Sequence, residues 1–95
     1  MAKYKLSLVA KEDLIRIHQF GVHKFGERQA DLYFTTLFKH FELIAEQPFS
    51  LESVEHLRTG YRRCVCGADT IYYRINNDHV EIMAIIGKQD ANLII

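Results

Sequence analysis

Long apolar runs, an excess of charge of either sign and a cysteine framework are all missing from this chain. No stretch reaches 18 consecutive apolar residues, so no transmembrane helix is expected. The opening, Met1-Ala2-Lys3-Tyr4-Lys5, lacks the apolar core of a signal peptide, and cytosolic residence is the expectation. Twelve Lys plus Arg balance twelve Asp plus Glu, for a formal net charge of zero. A domain that grips nucleic acid usually carries a basic excess, so direct nucleic-acid binding is not expected. Near-zero charge also gives weak colloidal stability, which suits a small domain that works with a partner.

Cysteine occurs only at Cys64 and Cys66. On a strand, residues two apart have Cα atoms about 6.5–7 Å apart, poor geometry for a disulfide. A reducing compartment would keep both as thiols. Structural zinc needs four ligands, usually two spaced pairs. Only His56 and His79 could help here, so no metal is expected. The five glycines form no cluster, so there is no phosphate loop. The five histidines are scattered, and no Ser/His/Asp or Cys/His spacing supports nucleophilic catalysis. No cofactor is expected.

What is present is ordinary for a globular protein: 48% apolar and 25% charged residues in 95. One domain over 1–95 is expected, since chains split at about 250–300 residues. Tyr4, Leu6 and Leu8 alternate with Lys3, Lys5 and Ser7, which predicts a short strand. Ser7 reads as the N-cap of a helix. Ala10, Leu14, Ile17, Gly21 and Phe25 then recur at helical steps, widened by Ile15 and Val22. Glu12 and Asp13 fall in the first turns, where the dipole favours acids. Gly26 is placed to end this helix with a positive φ. Ala30, Phe34, Leu37, Phe41 and Ile44, flanked by Tyr33, Phe38 and Ala45, predict a second helix from Glu27 to just before Pro48. The short link predicts an antiparallel helical pair, with Gly21 facing inward to permit close approach.

Residues 47–59 read as a surface connection. Three strands then follow: Gly60–Cys66, Ala68–Ile75 and His79–Ile86. Short turns at Gly67 and at Asn76-Asn77-Asp78 predict an antiparallel meander. Ile71, Tyr73 and Ile75 share one face. On the last strand Val80, Ile82, Ala84 and Ile86 share one. Leu93-Ile94-Ile95 are expected to dock somewhere. The expected fold is α+β, in the order β-α-α-β-β-β. A helical hairpin packs on one face of an antiparallel sheet. The other face, with Tyr72, Arg74, Met83 and Ile85, is expected to be uncovered and to suit a protein interface.

The ordered motifs along nearly the whole chain carry a resemblance. Tyr4-Lys5-Leu6-Ser7 with Ala10 and Asp13-Leu14 opens it, followed by Phe25-Gly26 with Gln29-Ala30 and Tyr33. Leu43-Ile44-Ala45-Glu46 before Pro48 comes next, then Leu57 and Gly60-Tyr61-Arg62-Arg63. Ile71-Tyr72-Tyr73-Arg74, Val80-Glu81-Ile82 and Ile85-Ile86-Gly87-Lys88-Gln89-Asp90 complete it. This combination resembles the RelE/ParE superfamily, and within it the ParE toxins. The sequence departs from many ParE chains at Phe49-Ser50-Leu51-Glu52, where a glycine is common after the proline, and near the end of the last strand, where many carry a His. The resemblance implies a RelE/ParE-like fold and the toxin of a bacterial toxin–antitoxin pair. It also implies a toxin that poisons DNA gyrase and is neutralised by a ParD antitoxin. That antitoxin has a ribbon-helix-helix part and a C-terminal segment that wraps the toxin.

The sister branch consists of RelE-like ribonucleases that cut mRNA on the ribosome. Such chemistry needs a base, cations on the scissile phosphate and a proton donor. The candidates would be Arg62 or Arg63, Arg74, Lys88 and Tyr72. The final strand's second half has no His and the chain has no basic excess, so a non-enzymatic toxin is the expectation. A third possibility is an inert relative that only binds antitoxin. The expected contact residues are Tyr61, Arg62, Tyr72, Arg74, Lys88 and Asp90, on the open sheet face and C-terminal tail. The antitoxin is expected over the helical hairpin and the adjoining sheet edge. The bland alternative for the arginines is cross-strand pairing with Glu81 and Asp69. Tyr61, Tyr72 and Tyr73 would then simply pack. The pattern leaves open which of Arg62 and Arg63 faces out.

Overall fold

The computed structural model describes residues 3–87. Lys88, Asp90 and Leu93-Ile94-Ile95 therefore lie outside the described residues. The elements are β1 (Tyr4–Leu6), α1 (Leu8–Phe25), α2 (Glu27–Glu46), β2 (Glu52–Ser53), β3 (Tyr61–Cys66), β4 (Asp69–Asn76) and β5 (His79–Gly87).

Local signals set the helix ends. The Ser7 hydroxyl accepts from the Ala10 amide at 3.0 Å, the expected N-cap. Leu8 begins the helix and is exposed, so the opening strand is shorter than its alternation predicts. Gly26 separates the helices with φ of 93°. The helices pack closely at Gly21, where an added Cβ would lie 3.2 Å from the Ala30 Cβ. Ala10, Leu14 and Ile17 of α1 and Ala30, Leu37, Phe41, Ile44 and Ala45 of α2 are buried, as the spacing predicts. Phe25 and Ile15 are not part of that core; both are more than half exposed.

The sheet order is β1-β5-β4-β3-β2. The predicted meander is present as β3, β4 and β5. β1 joins it parallel to β5, so the sheet is mixed rather than wholly antiparallel. The connection 47–59 also holds a short strand: Glu52 and Ser53 pair with Arg63 and Arg62 at the sheet edge. Two residues give too short an alternation to read. Cys64, Cys66, Ile71, Tyr73, Val80, Ile82 and Ile85 form the core with the helices.

Ile85 belongs to that core because the β4–β5 register shifts at Tyr72/Tyr73. Tyr72 pairs with Ala84 and Tyr73 with Ile82, leaving Met83 without a partner. Such a bulge inserts a residue and reverses the facing of all that follow. The expectation that Val80, Ile82, Ala84 and Ile86 share one face is therefore corrected. Ala84 and Ile86 lie on the face away from the helices, and Ile85 lies beneath them.

Candidate functional site

Strand alternation places Tyr61, Arg63 and Val65 of β3 on the face away from the helices. Thr70, Tyr72 and Arg74 of β4 and Glu81 of β5 share it. This face is not bare, contrary to expectation. The chain after β2 turns back over it, with the Val54 amide donating to Tyr61 O at 2.9 Å and the Gly60 amide to Glu55 Oε2 at 2.6 Å. Val54, Tyr61, Tyr72 and Ile86 form a second apolar cluster, with Leu57 and Met83 packed against it. Tyr72 is 1% exposed and Tyr61 7%. Both tyrosines predicted as contact residues are thus packing residues. Val54 and Leu57 supply the cover, in a stretch whose charges suggested surface.

The arginines of this face are held on carboxylates. Arg63 grips Glu52 with two bonds, Nε to Oε1 at 2.9 Å and Nη2 to Oε2 at 2.8 Å. Arg74 Nε donates to Glu81 Oε1 at 2.6 Å. These bonds hold both carboxyls below their ordinary pKa and raise both guanidiniums. The Arg58 guanidinium lies 5.4 Å from the Tyr61 ring centroid. The alternative pairing of Arg74 with Glu81 is therefore the one found. Asp69 instead accepts from the Tyr33 hydroxyl at 2.7 Å.

Arg62 was expected on the open face and lies on the opposite one. It is opposite Tyr73, whose side chain packs under the helices. Its Nη1 donates to Leu51 O at 2.6 Å and to Phe49 O at 3.3 Å. Its guanidinium sits 5.6 Å from the Phe49 ring centroid. Arg62 thus ties down the chain after α2, and Arg63 is the arginine of the far face. Of the six expected contact residues, Tyr61, Tyr72 and Arg74 share a face, and only Arg74 is exposed on it.

The thiols offer no nucleophile. Cys64 and Cys66 are buried, and burial pushes both thiols up. His40 Nδ1 lies 3.6 Å from Cys66 Sγ, a contact that sequence spacing did not reveal. The same nitrogen lies 2.9 Å from Thr36 O. A carbonyl only accepts, so that nitrogen carries its proton and cannot take one from the thiol. Among the described residues no group of three His, Cys, Asp or Glu side chains could hold a metal ion. No described helix is long and apolar enough to cross a membrane.

The helical hairpin also exposes apolar side chains. Leu8, Ile15, Phe20 and Phe25 of α1 and Leu32 and Leu43 of α2 are all half exposed or more. Lys24 Nζ lies 5.5 and 5.6 Å from the Phe20 and Phe25 ring centroids.

Known proteins share both sequence and shape with this chain. Residues 4–91 match the family described as ParE toxin of type II toxin-antitoxin system, parDE. Toxin ParE1 of Caulobacter vibrioides is 38% identical over 86 residues, covering 90% of this chain and 88% of that protein. Toxin ParE1 of Mycobacterium tuberculosis is 27% identical over 96 residues, covering 97% and 98%. A solved chain of the chromosomal ParDE system from P. aeruginosa superposes with a TM-score of 0.81 at 16% identity, over 92% of this chain and 96% of that one. A conserved hypothetical protein from Helicobacter pylori has a TM-score of 0.58 at 14% identity, covering 94% of this chain and 97% of its own. These two share the fold. The family match and the relative at 38% identity show that the chain belongs to the ParE toxins of type II toxin–antitoxin systems.

Proposed function

We propose that this ParE-family protein inhibits DNA gyrase by binding it, without breaking covalent bonds, and that a ParD-like ribbon-helix-helix antitoxin neutralises it. The observation that carries the non-enzymatic reading is the pairing of the far-face arginines. A ribonuclease needs free cations to stabilise a pentacoordinate phosphate. Arg63 and Arg74 are each committed to a carboxylate, which places negative charge where a phosphate would have to sit. Tyr72, the tyrosine among the candidates for that chemistry, is buried with Val54, and Leu57 packs against the same cluster.

Arg74, exposed on this face, is the described residue best placed to touch the target, and Lys88 and Asp90 follow β5 in the chain. Arg62 acts on the segment 49–51 instead. The antitoxin covers the hairpin's outer side at Leu8, Ile15, Leu32 and Leu43, with a segment that orders as it binds. The test is expression with and without an antitoxin. Expression alone should arrest growth, and a co-expressed ribbon-helix-helix partner from an adjacent gene should restore it. In a translating extract the purified protein should leave mRNA intact. Cut mRNA would establish the ribonuclease, and no arrest would mark an inert relative.

A further inference from the structure

β5 is longer than the strand beside it. β1 pairs only with Val80, Glu81 and Ile82, while β5 runs on to Gly87. An unpaired strand edge leaves backbone groups that need partners. Next to β1 the outward groups belong to even-numbered residues: the Val80 amide donates to Lys3 O at 3.1 Å, and Ile82 O accepts from the Ser7 amide at 3.0 Å. The bulge at Met83 then passes the outward positions to Met83 and Ile85. There α1 and its N-cap residue supply the partners from their side chains. The Ser7 hydroxyl donates to Met83 O at 2.9 Å. The Ile85 amide donates to Asp13 Oδ2 at 2.9 Å, and Arg16 Nη2 donates to Ile85 O at 2.9 Å. Arg16 Nη2 also lies 3.5 Å from Asp13 Oδ1, which closes the ring.

A carboxylate that accepts from an amide and a guanidinium that donates to the carbonyl of the same residue do what a neighbouring strand would do. Both bonds are charge-assisted, the stronger kind. From its place in the first turns Asp13 is expected to serve the helix dipole. Its side chain is only 16% exposed and belongs to the sheet edge.

We propose that Asp13 and Arg16 are positioning residues for the C-terminal end of β5. They fix the end of β5 at Ile85, next to Ile86 of the far-face cluster, and so set up target contact on that face. This rests on the gyrase-binding reading above. A salt bridge with a merely structural role would affect stability and function together. The positioning role predicts that they separate.

The test compares wild type with Asp13→Ala, Asp13→Asn and Arg16→Ala. Arg16 is about half exposed, so its variant will fold even if Asp13→Ala does not. In Arg16→Ala and Asp13→Ala, hydrogen exchange at the Ile85 amide should rise at least tenfold while the Tyr73 amide keeps its protection. Inhibition of purified DNA gyrase should fall at least tenfold in both; the thermal midpoint should stay close to wild type in Arg16→Ala, while in Asp13→Ala inhibition should fall further than the loss of stability accounts for. Asp13→Asn, which keeps an acceptor oxygen, should restore much of both. Variants that deprotect Ile85 yet inhibit gyrase as well as wild type would overturn the positioning role. So would unchanged exchange at Ile85, or inhibition that falls only in step with the thermal midpoint. A wild-type protein without effect on gyrase would instead overturn the functional reading on which this role rests.

Discussion

Arg74 Nε lies 2.6 Å from Glu81 Oε1, across β4 and β5 and on the side of the sheet away from the helices. The pair is a rim feature: the arginine side chain is 48% exposed and the glutamate 24%. Such pairs contribute roughly 0.2–1 kcal/mol to stability. Arg74→Ala should therefore shift the thermal midpoint by only a few degrees. Its effect on the target should be larger, a loss of about tenfold or more in gyrase inhibition, as for a contact residue of an interface. Full inhibition by a folded Arg74→Ala protein would remove this face from the target contact.

Tyr73 makes the opposite kind of contribution. Its hydroxyl is buried and donates to Pro48 O at 2.6 Å, tying β4 to the chain that leaves α2. Tyr73→Phe leaves that carbonyl without its donor and should cost about 1–3 kcal/mol. For a domain of this size, each kcal/mol is roughly 4–8 °C in thermal midpoint. A shift under about 2 °C would show that water or another donor replaces the hydroxyl.

The same residue sets an alkaline limit. Burial pushes the Tyr73 hydroxyl up from 10.0 to about 12. The unfolded chain loses this proton first, so the native state binds more protons between those two values. The stability Tyr73 contributes is complete below pH 10 and is lost as pH rises toward 12. Denaturant midpoints should fall across this window, and less steeply in Tyr73→Phe. An unchanged slope in the variant would assign the alkaline loss to other groups.

Gly67, in the β3–β4 turn, has φ of 58° and an unusually close neighbour. A Cβ there would lie 2.8 Å from Tyr33 Cε1, and that ring is held by its hydroxyl, which donates to Asp69 Oδ2 at 2.7 Å and lies 2.8 Å from Cys66 O. Gly67→Ala thus combines a left-handed backbone penalty with a clash against a fixed ring. A loss of about 2 kcal/mol or more is expected, measured by denaturant unfolding. A loss under about 0.5 kcal/mol would mean that Tyr33 moves aside freely.

How much of this was legible depended on the range of each signal. Ser7, Gly26 and the two helical stripes were readable because their causes lie within a few residues of one another. The order of helices and meander strands followed from them. The bulge at Met83 was not readable: Ala84-Ile85-Ile86 is apolar at every position, and only the pairing with Tyr72 and Tyr73 decides which residue turns inward. The orientation of Arg62 and Arg63 needed the register with β4, and the cover over Tyr61 and Tyr72 needed Val54, far from both strands' alternation. Asp13 and Arg16 reach β5 from about 70 positions away, a separation at which periodicity carries no information.

The most direct measurement is a supercoiling assay with purified bacterial DNA gyrase and the wild-type protein. Inhibited supercoiling or stabilised DNA cleavage, relieved by a ParD-like antitoxin, is the predicted result. Untouched gyrase activity at saturating protein, with growth arrest still seen on expression, would contradict it.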